Sequence, residues 1–197
     1  MKKTDIVITG VGGQGVLLIS KILGDAAIDS DINVVTSEIH GMAQRGGVVT
    51  SIVRFGDVYG PMIYDCDADI ILSLEPVEAL RVADKMSPKT TIIMNTSQVI
   101  PFTVSVGSEK YPKMEEIMTQ LKKFTSQIIT LDAKKVAESI GVPMALNVVM
   151  LGALAGAELL PIKKTKILDA MKRNISSKYV NENINAFELG YGITGKR

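Results

Sequence analysis

The sequence predicts an α/β fold: a Rossmann-like, open and mainly parallel sheet with helices on both faces and a C-terminal helical segment. Three observations carry this. Short apolar, β-branched runs alternate with segments of helical period along most of the chain. The first run, "TDIVIT" at 4–9, leads straight into "GVGGQG", where Gly10, Gly12 and Gly15 have the spacing G-x-G-x-x-G. The last third of the chain reads as helix alone.

Each element has its own reason. Residues 4–9 form a buried strand, and 14–29 carry apolar side chains at helical spacing. The turn "DSD", 29–31, precedes a second strand, "INVVT", at 32–36. Strand, helix and strand within about 35 residues is the length of one βαβ unit. Residues 37–47, "SEIHGMAQRGG", have no clean period and three glycines, so they read as a loop. Irregular segments of this length are often functional. "VVTSIVRFG", 48–56, alternates as a strand does, and "DVYGPMIY", 57–64, is a candidate hairpin partner turning at Gly60-Pro61. "DADIILSL" (67–74) and "TTIIMNT" (90–96) are strands around a helix at 75–86, with Pro76 in its first turn and Lys85 near its end. Residues 97–112 are irregular. A helix at 113–124, a strand at 126–133 and a helix at 134–141, ended by Gly141, follow. Helices are expected at 144–160, 162–173 and 181–189.

The 197 residues suit one domain, 1–197, with the helices of 142–197 part of it. Hydrophobic residues make up 46% and aromatics only 5%, so the core is aliphatic, with ten methionines as gap-fillers. With 22 basic and 21 acidic side chains, the net charge of +1 carries no electrostatic footprint for nucleic acid or a membrane surface. The one cysteine, Cys66, rules out an internal disulfide. One Cys and one His cannot supply the donors of an iron–sulfur cluster or a typical zinc site, so no metal site is expected. "MKKTDIVITG" lacks the apolar region of a signal peptide. The apolar stretch at 142–161 contains Asn147 and Glu158 and reads as a core helix, not a membrane span. A soluble, cytoplasmic protein is expected.

The glycine turn carries chemistry through its backbone. The first glycine permits a tight turn, the second lets amides approach a phosphate, and the third lets helix pack on strand. Gly13 and Gln14 complete it. A dinucleotide site also needs an acid near the end of the second strand. Glu38, 23 residues past Gly15, stands at the mouth of the irregular loop instead. No hydride-transfer dyad accompanies it. In the loop, Arg45 lies between Gln44 and Gly46-Gly47, so guanidinium and backbone could meet an anion together. His40, the only histidine, could donate a hydrogen bond or titrate near neutrality. An internal Glu38–Arg45 contact that merely orders the loop accounts for the same spacing. The candidate binding set is Gly10, Gly12, Gly13, Gln14, Gly15, Glu38, Arg45, Gly46 and Gly47, with His40 and Arg45 as catalytic candidates. Three further features stand out. Asn147 is a polar residue in an apolar helix, either anchoring the 37–47 loop or making a plain structural bond. Gly152 and Gly156 form G-x-x-x-G, for close packing on the sheet or on a second subunit. Asp65, Asp67 and Asp69 alternate, a spacing that would put them on one face of a strand as metal ligands, but turn caps are the role expected of them.

The blocks "GVGGQGVLLISKIL", "TSEIHGMAQRGGVVTSIVRFG" and "LNVVMLGALAG" lie in order from residue 7 to about 157. Together they resemble the gamma-type subunit family of 2-oxoacid:ferredoxin oxidoreductases, in its indolepyruvate branch. The resemblance implies a cluster-free subunit of a multi-subunit enzyme, inactive alone. That enzyme oxidatively decarboxylates aryl pyruvates with coenzyme A and reduces ferredoxin. Thiamine diphosphate and the iron–sulfur clusters are then expected on a large alpha subunit, with His40, Met42 and Gln44 near the interface. A free-standing NAD(P)-binding reductase and a paralogue serving another 2-oxoacid are the alternatives.

Overall fold

The structure is a computed structural model and describes residues 3–40, 47–99 and 110–195. Among them are six strands and seven α-helices. In chain order these are β1 (Thr4–Val11), α1 (Val16–Ile28), β2 (Val34–His40), β3 (Val48–Phe55), β4 (Ile70–Ser73), α2 (Pro76–Arg81) and β5 (Thr91–Asn95). Then come α3 (Met114–Leu121), β6 (Ile128–Leu131), α4 (Ala133–Ser139), α5 (Leu146–Gly156), α6 (Lys164–Asn174) and α7 (Val180–Thr194).

The sheet order is β2-β3-β1-β4-β5-β6. β1, β4, β5 and β6 pair in parallel, whereas β3 runs antiparallel to both β1 and β2. The mainly parallel α/β sheet expected from sequence is therefore present, with one correction. β1 and β2 are not neighbours, because β3 lies between them. Only residues 41–47 link β2 to β3. That is too short for a parallel crossover, which needs a dozen residues or more, so β3 must return as a hairpin. The loop expected at 37–47 is correspondingly shorter. Ser37 to His40 belong to β2 and pair with Ile52 to Val49, where Ile52, Thr50 and Val49 are β-branched and favour the extended state.

The second correction concerns 57–64, which forms no strand. Arg54 Nη1 donates to the carbonyls of Gly60 (2.8 Å) and Met62 (2.6 Å), so these groups serve a side chain, not a ladder. Arg54 is held in turn by Asp5, with Nε to Oδ1 at 2.8 Å and Nη2 to Oδ2 at 3.1 Å.

The strands read as unbroken apolar runs because both faces are covered. Ile6, Ile8, Val53, Phe55, Ile70 and Leu72 pack under α1, α5, α6 and α7. Val7, Ile52, Ile71 and Ile92 pack under α2 and α3, with Ala79, Ile117 and Leu121. Met86, Met94, Met150 and Met171 are buried gap-fillers, but Met62 and Met144 are exposed. Gly152 and Gly156 do allow close packing, against the chain's own α7 instead of the sheet or a second subunit. A Cβ on Gly152 would strike the Phe187 carbonyl, and one on Gly156 the Tyr191 carbonyl. No helix among the described residues is long and apolar enough to cross a membrane.

Candidate functional site

The carboxyl ends of β1, β4, β5 and β6 share one edge of the sheet, where open α/β folds place ligands. The glycine turn stands there, between β1 and α1. Gly15 is the N-cap of α1 at φ 82, a left-handed conformation that L side chains rarely adopt. Asn147 presses against it so closely that a Cβ would overlap its amide nitrogen. No side chain caps α1, so its first N–H groups and the positive end of its dipole stay available. Gly13, at φ 97, has open space on its Cβ side.

Gln14 turns inward. Its Oε1 accepts from the Val11 N–H (2.9 Å), and its Nε2 donates to the Leu74 carbonyl (3.1 Å). The side chain thus fills the crevice between β1 and β4. Asn95 Nδ2 donates to the same Leu74 carbonyl (2.9 Å), and its Oδ1 accepts from the Ala133 N–H (3.0 Å). Asp132 caps α4 through the Lys135 N–H (2.9 Å) and accepts from Ser97 Oγ (2.8 Å). Those bonds, the backbone one first, hold its carboxyl below the usual range. Glu75 caps α2, accepting from Val77 N–H (2.8 Å) and Glu78 N–H (3.2 Å), and also accepts from the Tyr111 hydroxyl. Burial, then Glu75, raise the Tyr111 pKa, so the phenol stays a donor.

One bond joins the two motifs that the sequence put forward separately. The Gly12 N–H donates to the Gly47 carbonyl at 2.8 Å. This fixes the base of the 41–47 connection against the glycine turn. Around the turn lie three hollows of about 480, 240 and 360 Å³, and Gly13 lines all of them. The largest is mainly apolar, with Leu18, Met144, Ile175 and Tyr179 in its wall and Asn147 and Asn183 as polar points. The second includes Ser97 and Lys134. Such a site suits a ligand with an anionic group over the helix N-terminus and an apolar arm.

The structure brings Gly12, Gly13, Gln14, Gly15 and Gly47 together. Gly10 lies in β1 beneath them, where a Cβ would crowd Gln14 and Leu74. Glu38 lies apart, exposed on edge strand β2 opposite Ser51. Two strand spacings, roughly 10 Å, separate β2 from β1. Arg45 and Gly46, with Met42 and Gln44, lie outside the described residues, and of His40 only the backbone is described, opposite Val49. Asn147 packs on the turn, its Oδ1 accepting from the Val148 N–H. The aspartates diverge: Asp65 bonds Lys85, Asp67 bonds Lys3, and Asp69 accepts from the Asp5 N–H. Sequence reasoning missed Lys134, Tyr179 and Asn183, whose elements give no sign that they face the turn. Asn95 had a signal, a polar residue closing the run "TIIMN".

The fold matches that of oxoacid:ferredoxin oxidoreductase gamma subunits. The Geobacter sulfurreducens keto/oxoacid ferredoxin oxidoreductase gamma subunit superposes with a TM-score of 0.70 over 97% of this chain and 98% of its own, at 20% identity. The Magnetococcus marinus 2-oxoglutarate:ferredoxin oxidoreductase, solved with 2-oxoglutarate, coenzyme A and succinyl-CoA bound, gives 0.74 over 98% of this chain and 31% of its own, at 17% identity. Residues 5–193 match the model of the pyruvate ferredoxin/flavodoxin oxidoreductase family, and the chain belongs to that family. It is 42% identical over 192 residues, 98% of each chain, to indolepyruvate oxidoreductase subunit IorB of Methanothermobacter thermautotrophicus. The chain is thus an oxidoreductase subunit of this kind.

Proposed function

We propose that the chain is the small subunit of an indolepyruvate:ferredoxin oxidoreductase, and that its glycine turn and hairpin line the coenzyme A entrance. The observation that carries the reading is the full-length 42% identity to an indolepyruvate oxidoreductase subunit. In the reaction, an aryl pyruvate loses carbon dioxide, its acyl carbon forms a thioester with coenzyme A, and two electrons pass to ferredoxin. Thiamine diphosphate on the large alpha subunit supplies the carbanion chemistry, and iron–sulfur clusters there carry the electrons.

This chain contributes binding groups. The turn amides and the α1 N-terminus face a phosphate or carboxylate, with Arg45 and Lys134 adding charge. The apolar hollow beside Tyr179 accepts the uncharged arm.

The test uses the two-subunit complex, assayed with indolepyruvate, coenzyme A and ferredoxin. Arg45→Ala and Lys134→Ala should each raise KM for coenzyme A by about ten-fold or more, the loss of a charge-assisted bond. KM for ferredoxin should hold. Gly12→Val should lower turnover without unfolding the chain. Unchanged coenzyme A kinetics in all three variants would sink the assignment of the entrance.

A further inference from the structure

α5 and α7 point their first turns at one hollow. Gly152 meets Phe187 and Gly156 meets Tyr191, equal steps in the same direction, so the two helices run parallel. One turn further back, the same offset sets Val148 level with Asn183. Asn147 and Asn183 therefore stand at the same end of the pair, and both line the hollow of about 480 Å³ beside the glycine turn. Each is only 8% exposed. Asn147 Oδ1 accepts from the Val148 N–H at 3.0 Å, which leaves the Nδ2 donors without a partner among the described residues. Asn183 Nδ2 donates to the Tyr179 carbonyl at 2.7 Å, which leaves Oδ1 without a partner among them. Neither atom is itself enclosed, so both open into the hollow.

An unpaired donor and an unpaired acceptor in a mainly apolar wall define what fits. Leu18, Met144 and Ile175 supply that wall, and among the described residues no carboxylate, ammonium or guanidinium lines it. A pure hydrocarbon arm would bury both polar atoms unpaired, which costs free energy. A carboxylate would pair with Asn147 but face the Asn183 oxygen, and an ammonium would do the reverse. A secondary amide satisfies both, its carbonyl accepting from Asn147 and its N–H donating to Asn183. The uncapped N-terminus of α1 adjoins the same hollow through Gly13 and Gly15, so an anion held there can carry an amide-bearing chain into it.

We infer that Asn147 and Asn183 form the amide-reading pair for the pantetheine arm of coenzyme A. This rests on the coenzyme A entrance proposed above. The two-subunit complex is assayed with indolepyruvate, coenzyme A and ferredoxin, and two fragments are tested as competitive inhibitors. S-methylpantetheine is the arm alone, and phosphoadenosine diphosphate is the head alone. Asn147→Leu and Asn183→Leu should each weaken inhibition by the arm by about ten-fold, the scale of one buried polar group left unpaired. Inhibition by the head should hold. Arm analogues with one amide N–H replaced by oxygen test the pair in the unaltered enzyme. One of the two esters should inhibit about ten-fold less well than the amide, and Asn183→Leu should erase that difference. Removing the arm's hydroxyl should change little. Equal inhibition by the amide and both esters in the wild type overturns the inference, however the variants fold. A loss that follows the hydroxyl instead overturns it too. Lys134→Ala separates this pair from the entrance itself. If that variant weakens the head while both asparagine variants leave the arm unchanged, the entrance stands and the amide pair is wrong. If no variant alters inhibition by either fragment, the entrance falls together with the pair.

Discussion

Glu78 has the one buried side-chain oxygen without a hydrogen-bond partner among the described residues. Its Oε1 accepts from Arg81 Nε at 3.0 Å, but Oε2 is enclosed and unpaired. Burial is the largest influence and raises the carboxyl pKa, with Arg81 opposing. The native state then holds the Glu78 proton more tightly than the unfolded chain does. The favourable contribution is complete below the unfolded pKa and is lost as pH rises through the raised folded value. Above that value the folded protein carries an under-paired buried carboxylate. Glu78→Gln should therefore stabilise the chain at pH 8, by about 1 kcal/mol, the scale of one unsatisfied buried polar group. The advantage should shrink with falling pH and vanish near pH 4, where the unfolded carboxyl itself protonates. Urea midpoints across the pH range check this, and an advantage independent of pH would refute it. The sequence hid the feature. "EPVEAL" reads as acids placed favourably on a helix start, and only tertiary packing decides which of them loses its water.

At the scale of elements, the tightest contact is the crossing of α5 and α7. Each helix presents glycine to the other's backbone: Gly152 meets the Phe187 carbonyl, and Gly190 meets the Val149 carbonyl. Backbone cannot swing aside as a flexible side chain can. Gly152→Ala should cost about 3 kcal/mol, at the upper end for overpacking, and lower the melting temperature by on the order of 10 °C. Calorimetry reads the loss directly, and a change of a degree or two would mean that the helices separate more easily than the packing implies. The G-x-x-x-G spacing was legible in the sequence; its partner was not. Gly190 lies far along the chain, and one sequence does not reveal which helix faces pair. The strands divide likewise. β1, β4 and β5 stood out because both faces are buried and their runs are unbroken. The last residues of β2 did not, because Ser37, Glu38 and His40 sit on an edge strand, where polar residues are tolerated.

At the scale of the whole molecule, the sheet order determines what a glycine turn can bind. A dinucleotide lies across two adjacent parallel strands, pyrophosphate at the first turn and ribose at an acid ending the second. Here β3 occupies the place of that second strand, and Glu38 is displaced by roughly 10 Å, two strand spacings. The crevice between β1 and β4 holds the Gln14 side chain, bonded at both ends. The local motif is therefore that of a dinucleotide turn, while the geometry that makes such a turn selective is missing. The sequence showed the first and only hinted at the second, because strand order is a long-range property set by the short 41–47 link. The isolated chain should accordingly show no saturable binding of NADH or NADPH by calorimetry, even at millimolar nucleotide. Saturation at micromolar concentrations would mean that β3 does not block the ribose position, and would return the turn to the reductase reading. No heat from NADH, with coenzyme A binding recovered in the assembled enzyme, is the outcome expected from this sheet order together with the proposed coenzyme A entrance.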